Sequence, residues 1–187
     1  VVFGNHDGEA GFHTEFQMMQ YMEYPNCRSN LNDENVYGCG NCLVTIKDSK
    51  GEKDAFAIWL FDSNDYEENE DGSGGYDHVH DDQIDWYERK AAELKEANGG
   101  IPLPAILFQH MPVIQEYDLM REAKPYEFFW SVPGFIGPLE NKRFVKKDGV
   151  EGYLGEGPCS PAIDKGQFSS WKKVGDIKAA FFGHDHL

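Results

Sequence analysis

A chain of 187 residues with 40% apolar and 14% aromatic residues carries enough material for a buried core, and its length is that of one domain, roughly 100–200 residues. Its formal charge of −16 excludes nucleic-acid binding through a basic surface, and no run of about 18 or more uncharged apolar residues exists to span a membrane. An anionic partner would have to be met by local cations strong enough to overcome the field of the whole molecule, as bound divalent metals would be.

Val1-Val2-Phe3 reads as a short apolar strand running out into Gly4-Asn5-His6-Asp7. Such a strand end delivers an amide oxygen, an imidazole and a carboxylate to the edge of a sheet, where open α/β folds place their ligands. Phe12, Phe16, Met19 and Met22 then recur at helical spacing, predicting an amphipathic helix over 11–23 whose apolar stripe packs into the core. Cys39-Gly40-Asn41-Cys42 has the C-x-x-C spacing of redox and zinc sites. No second such pair follows, and the glycine-rich setting predicts a turn.

Residues 43–47 and 55–61 read as an antiparallel hairpin, the second strand apolar throughout and expected to be buried on both faces. Residues 64–82 hold eight carboxylates and no Lys or Arg. Glu67, Asn69, Asp71 and Gly72 loosely follow a calcium-loop spacing, but His78 stands where a bidentate Glu is required, so the segment reads as a solvated loop carrying His78 and His80. Asp81 or Asp82 is expected to cap a helix with Ile84, Tyr87, Ala91 and Leu94 on one face, stopped by Gly99-Gly100. Pro104 to His110 follows as a buried strand, the αβ half of a crossover unit. Residues 111–161 read as irregular, aromatic and pocket-shaping. Lys165 to Val174 predicts a short helix, and Ile177 to Phe182 a last strand ending in Gly183-His184-Asp185-His186.

Three apolar runs thus end in ligating residues. Asn, His and carboxylate donors suit Zn, Mn or Fe. His184 and His186, two apart, would project to one side of an extended backbone and ligate neighbouring metals. Two such metals bind phosphoryl oxygens and activate a bridging water near neutral pH.

Taken in order, Gly4-Asn5-His6-Asp7, His110 and Gly183-His184-Asp185-His186 resemble the second half of the calcineurin-like metallophosphoesterase signature, D-x-H, G-D, G-N-H-[DE], H, G-H-x-H. The Gly38-Cys39-Gly40-Asn41 turn, Leu60-Phe61-Asp62-Ser63, Gln83-Ile84-Asp85-Trp86 and Gln109-His110-Met111-Pro112 are similar to the purple-acid-phosphatase-related branch. The resemblance implies an α/β fold, a β-sandwich of two mixed sheets flanked by helices, incomplete at both ends. It implies Asn5, His110 and His184 as ligands of one metal, His186 as a ligand of a second, and His6 as the catalytic residue serving the leaving group, with Asp7 orienting its loop. The implied cofactors are two metal ions (Mn, Zn or Fe), and the implied partner is a phosphoester, whether a small molecule or a phosphoprotein.

The chain departs from that signature in lacking D-x-H and G-D. It opens without Met inside an apolar stretch and stops one residue after His186, so it is expected to be a fragment, a single domain over 1–187. Alone it should bind metal weakly and turn over little, activity belonging to the full-length protein. A non-catalytic binding or scaffold member of the same fold is the alternative. A mononuclear amide hydrolase is poorly matched by Gly4-Asn5-His6-Asp7.

Overall fold

The computed structural model of the chain describes residues 1–68 and 74–186. Val1–Phe3 pairs with no neighbouring strand among the described residues, so the first expected strand is an extended lead-in, anchored by Phe3, which is buried with Met18 and Cys39. Helix α1 (Thr14–Met22) forms where predicted, but its expected core stripe faces outward. Phe12, Phe16, Met19 and Met22 are 44–58% exposed while Met18 is fully buried. At 100° per residue Met18 lies about 160° from Phe16 and about 100° from Met19, though only about 40° from Met22, so seating Met18 turns most of the stripe away from the body.

Strands β1 (Cys42–Lys47) and β2 (Asp54–Leu60) make the predicted hairpin, Cys42 opposite Leu60. Between them Asp48 Oδ1 accepts the N–H groups of Lys50 and Glu52. The acidic segment is not simply a loop: β3 (Tyr66–Glu68) and β4 (Gly74–Tyr76) form a two-stranded antiparallel ribbon, with Tyr66 opposite Tyr76. Of the calcium-like pattern, Asn69, Asp71 and Gly72 lie outside the described residues.

Helix α2 (Asp81–Ala97) is capped one residue earlier than expected, at His80. Gln83 Oε1 accepts the His80 N–H at 2.8 Å, and Asp82 is drawn away to the N–H of Tyr37. The helix buries Ile84, Trp86, Tyr87 and Ala91 and ends before Gly99 and Gly100, whose φ values of +70° and +85° suit residues without a Cβ. Strand β5 (Ala105–Phe108) then pairs parallel to β2, completing the expected crossover.

Where irregular chain was expected, β6 (Met120–Glu122), β7 (Val132–Pro133) and β8 (Arg143–Lys146) form a small antiparallel sheet in the order β6-β8-β7. Met120, Val132 and Phe144 fill its core, and Arg121 makes two hydrogen bonds of 2.7 and 2.8 Å to Glu127. Helix α3 (Gln167–Val174) and β9 (Ile177–Phe181) follow as predicted, and β9 pairs parallel to β5. The main sheet is therefore mixed, β1-β2-β5-β9, and the α/β class is as expected. Of the two mixed sheets anticipated, this is the one present among the described residues; the other two sheets are antiparallel.

One face of the main sheet presents Ala57, Trp59, Phe61, Ala105 and Leu107 to Ile84, Trp86, Tyr87 and Trp171 of the helices, all buried. Strand alternation puts Val44, Phe56, Ile58, Leu60, Ile106 and Phe108 on the other face, where none is fully buried. Strand β2 is thus closed on one side only, and its second side is the kind of apolar surface on which another sheet packs. No helix among the described residues is long and apolar enough to cross a membrane.

At the end of β2 a buried polar network replaces apolar packing. Asn41 Oδ1 accepts from Asp62 N–H (3.0 Å) and Gln83 Nε2 (2.8 Å), and Gln83 Nε2 also donates to Asp62 O. The Asp62 carboxylate accepts the N–H groups of Cys39 and Asn64. Gly38, at φ +84°, is required there, because a Cβ would stand 2.7 Å from Asp62 Oδ2. The glycine-rich turn reading of C-x-x-C holds: all four cysteines are free, and burial pushes the Cys39 and Cys42 thiols up to about 11, unsuited to redox exchange.

Burial raises Asp62 from 3.8 to about 6, against the opposing pull of the two N–H donors. A carboxyl raised on folding contributes stability below its unfolded value and loses it as pH rises through the folded one. Asp62→Asn should therefore gain on the wild type by about 3 kcal/mol between pH 4 and pH 7, read from denaturant midpoints across that range. A difference independent of pH would show that Asp62 ionises normally when buried.

Candidate metal centre

The C-terminal ends of the parallel strands β5 and β9 lie side by side because Phe108 is in register with Phe181, their rings stacked at 5.0 Å. Beyond them His110 O accepts the N–H groups of both Gly183 and His184. That double bond fixes the two histidines against each other: His184 Nδ1 stands 3.1 Å from His110 Nε2. The lead-in brings the third group, Asn5, whose Oδ1 is 2.9 Å from His110 Nε2. Gly4 allows the approach, since a Cβ there would stand 2.7–2.8 Å from the His110 ring. Asp7 Oδ2 accepts the Gly4 N–H at 2.7 Å, the loop-orienting part expected of it.

Two donor atoms, 105 and 74 residues away in sequence, therefore each stand within about one ligand spacing of His110 Nε2. Asn5 is 1% and His184 8% exposed. Burial lowers His110, and burial with His110 alongside lowers His184 to about 4. The shifts favour the neutral imidazole at both, the form that ligates metal. One amide oxygen and two imidazole nitrogens are borderline donors that fit a divalent Zn, Mn or Fe ion.

His186, expected at a second metal, is exposed. The chain bends at His184–Asp185 instead of staying extended, so the same-side rule for residues two apart does not operate. The His186 side chain is 76% exposed, 3.9 Å from Glu156, and its N–H donates to Glu156 Oε1. It lines a cleft with Glu116, Glu156 and Asp185, where burial, and then Asp185, push Glu116 up to about 7. His6 lies on the first short turn, 66% exposed, with Nδ1 3.0 Å from Glu9 Oε1.

Supporting residues came from the acidic segment, where only a solvated loop was expected. Tyr66 accepts a 2.7 Å hydrogen bond from Asn5 Nδ2 and donates to Glu9 Oε1 at 3.0 Å, linking Asn5 to the partner of His6. Tyr76 packs edge-on against the His184 ring at 4.7 Å. The one available signal was a pair of tyrosines flanking the carboxylate run. His78 and His80, expected in solvent, are respectively 8% exposed overall and 31% exposed at the side chain.

No family model matches the chain, and no solved structure matches it. Three curated proteins of Arabidopsis thaliana do, each along the whole chain: "Probable inactive purple acid phosphatase 14" and "Probable inactive purple acid phosphatase 29", both 26% identical, and "Probable inactive purple acid phosphatase 28", 24% identical. The chain spans 44–45% of their length. Its relatives are thus purple-acid-phosphatase-like, as the motifs imply, and they carry names that mark them inactive.

Proposed function

We propose that the protein containing this chain hydrolyses phosphoesters at a metal centre to which Asn5, His110 and His184 contribute one ligand set, with His186 reaching a second metal and His6 serving the leaving group. The observation that carries this reading is the meeting of Asn5 Oδ1, His110 Nε2 and His184 Nδ1 at 2.9 and 3.1 Å. Bound divalent or trivalent metals supply positive charge for the phosphoryl oxygens and an activated water near neutral pH. The chain's own residues position and exchange protons. Glu9 engages His6 Nδ1, leaving Nε2 as the nitrogen that hands a proton to the departing oxygen. Tyr66 turns the Asn5 amide so that its oxygen faces the histidines.

Turnover of p-nitrophenyl phosphate or bis(p-nitrophenyl) phosphate by the full-length protein, loaded in turn with Mn, Zn and Fe, tests the proposal. It expects hydrolysis that chelation removes and metal restores. Metal uptake with no turnover on either ester would favour the non-catalytic reading that the relatives' names suggest for themselves. Tyr66→Phe should leave stability nearly unchanged, the residue being 45% exposed, while weakening metal binding about 10–100-fold, as expected when a ligand loses its orienting partner. Metal titration by calorimetry reads the change.

A further inference from the structure

A second group of ligating side chains stands apart from Asn5, His110 and His184. Asp77, His78 and His80 follow β4 directly and lead into α2. Their donor atoms lie within 4.8 Å of one another: Asp77 Oδ1 is 3.2 Å from His78 Nδ1 and 3.0 Å from His80 Nε2. The rings of His78 and His80 are parallel at 4.6 Å, and Tyr37 stacks on the far side of His80 at 3.8 Å. The segment is held from behind, Asn64 Nδ2 donating to His78 O and the Asp77 N–H to Asp65 O.

His78 is the telling residue. It is 8% exposed, and its Nδ1 makes no hydrogen bond among the described residues, although Asp77 and, at 3.6 Å, Glu67 Oε2 surround it. A buried polar atom without a partner costs about 1–3 kcal/mol. The cost disappears if the nitrogen lone pair is given to a cation. Ligands held at about 2.0–2.1 Å around tetrahedral zinc lie roughly 3.3 Å apart, close to the 3.0 and 3.2 Å separations about Asp77.

We infer that Asp77, His78 and His80 bind a zinc ion as a separate mononuclear site, with Glu67 placed to complete the coordination. Two imidazoles and a carboxylate select zinc over calcium or magnesium, which take oxygen ligands. Bound there, zinc would tie β4 to the start of α2 and so hold Tyr76, the residue before Asp77, against His184. The inference is independent of the phosphoester reading.

Zinc uptake by equilibrium dialysis tests it. The chain carrying Asn5→Ala and His184→Ala is expected to retain one zinc per molecule, and adding His80→Ser, which keeps a good helix-capping residue, to abolish it. In the chain carrying Asn5→Ala and His184→Ala, cobalt should give the visible absorption of a four-coordinate site, lost on adding His80→Ser or His78→Gln. Zinc should also raise the melting temperature of that double variant and leave it unmoved once His80→Ser is added. Uptake, spectrum and zinc-dependent melting temperature unchanged by adding His80→Ser would overturn the inference.

Discussion

His184→Ala and Asn5→Ala, each made in the full-length protein, should abolish stable metal occupancy at the proposed centre and lower phosphoester hydrolysis at least about 100-fold. Loss of a group that merely orients a ligand typically costs 10–100-fold, so loss of a ligand sets that as a floor. In this chain the donors are mutually arranged: Asn5 Oδ1 and His184 Nδ1 both face His110 Nε2, and removing either leaves the remaining pair unable to enclose an ion. His184→Ala also removes a ring packed between Tyr76 and His110, so a modest stability loss accompanies it. Asn5→Ala removes no ring, only a buried amide that bonds Tyr66 and faces His110, so comparing the two variants separates ring packing from ligation. Steady-state kinetics with metal analysis on the same samples checks both. Undiminished metal content in both variants would remove these side chains from the centre.

Trp59→Ala should destabilise the chain by about 3–5 kcal/mol, a large share of the roughly 5–15 kcal/mol that holds a domain folded. Trp59 is fully buried at the middle of the sheet face, edge-on to Trp86 at 5.5 Å and to Tyr87 at 4.9 Å. Its Nε1 donates to Asp176 Oδ2 at 3.0 Å, and Asp176 in turn takes the Tyr87 hydroxyl. Truncation would open a cavity and leave a buried carboxylate short of a donor. Trp59→Phe, which keeps most of the ring, should cost only the donor, about 1–3 kcal/mol. Denaturant midpoints at constant slope measure both. Equal losses for the two variants would mean that the hydrogen bond, and not packing, dominates at this position.

Much of this organisation could be read along the chain because its elements are regular and long enough to show a period. Helix α2 and strands β2, β5 and β9 carry clear apolar patterns, and the residues closing β5 and β9 became His110 and His184 at adjoining strand ends. What escaped has physical causes. Strands β6, β7 and β8 run for two to four residues, too few for alternation to be visible. The stripe on α1 obeyed the helical period yet faced outward, since periodicity says that one side is apolar and not which body covers it. Tyr66 and Tyr76 act on Asn5 and His184 across 61 and 108 positions of sequence, beyond any local pattern. The extended backbone expected through His184 and His186 bends instead, because its run had already left β9. His78 looked solvated amid eight carboxylates, but the ribbon of β3 and β4 folds it inward.

The most direct measurement is anomalous diffraction from crystals of the full-length protein grown with manganese or zinc. A metal peak is expected about 2.0–2.3 Å from Asn5 Oδ1, His110 Nε2 and His184 Nδ1 together. Metal found only elsewhere, with Asn5 Oδ1 and His184 Nδ1 still in contact with His110 Nε2 as they are here, would contradict it.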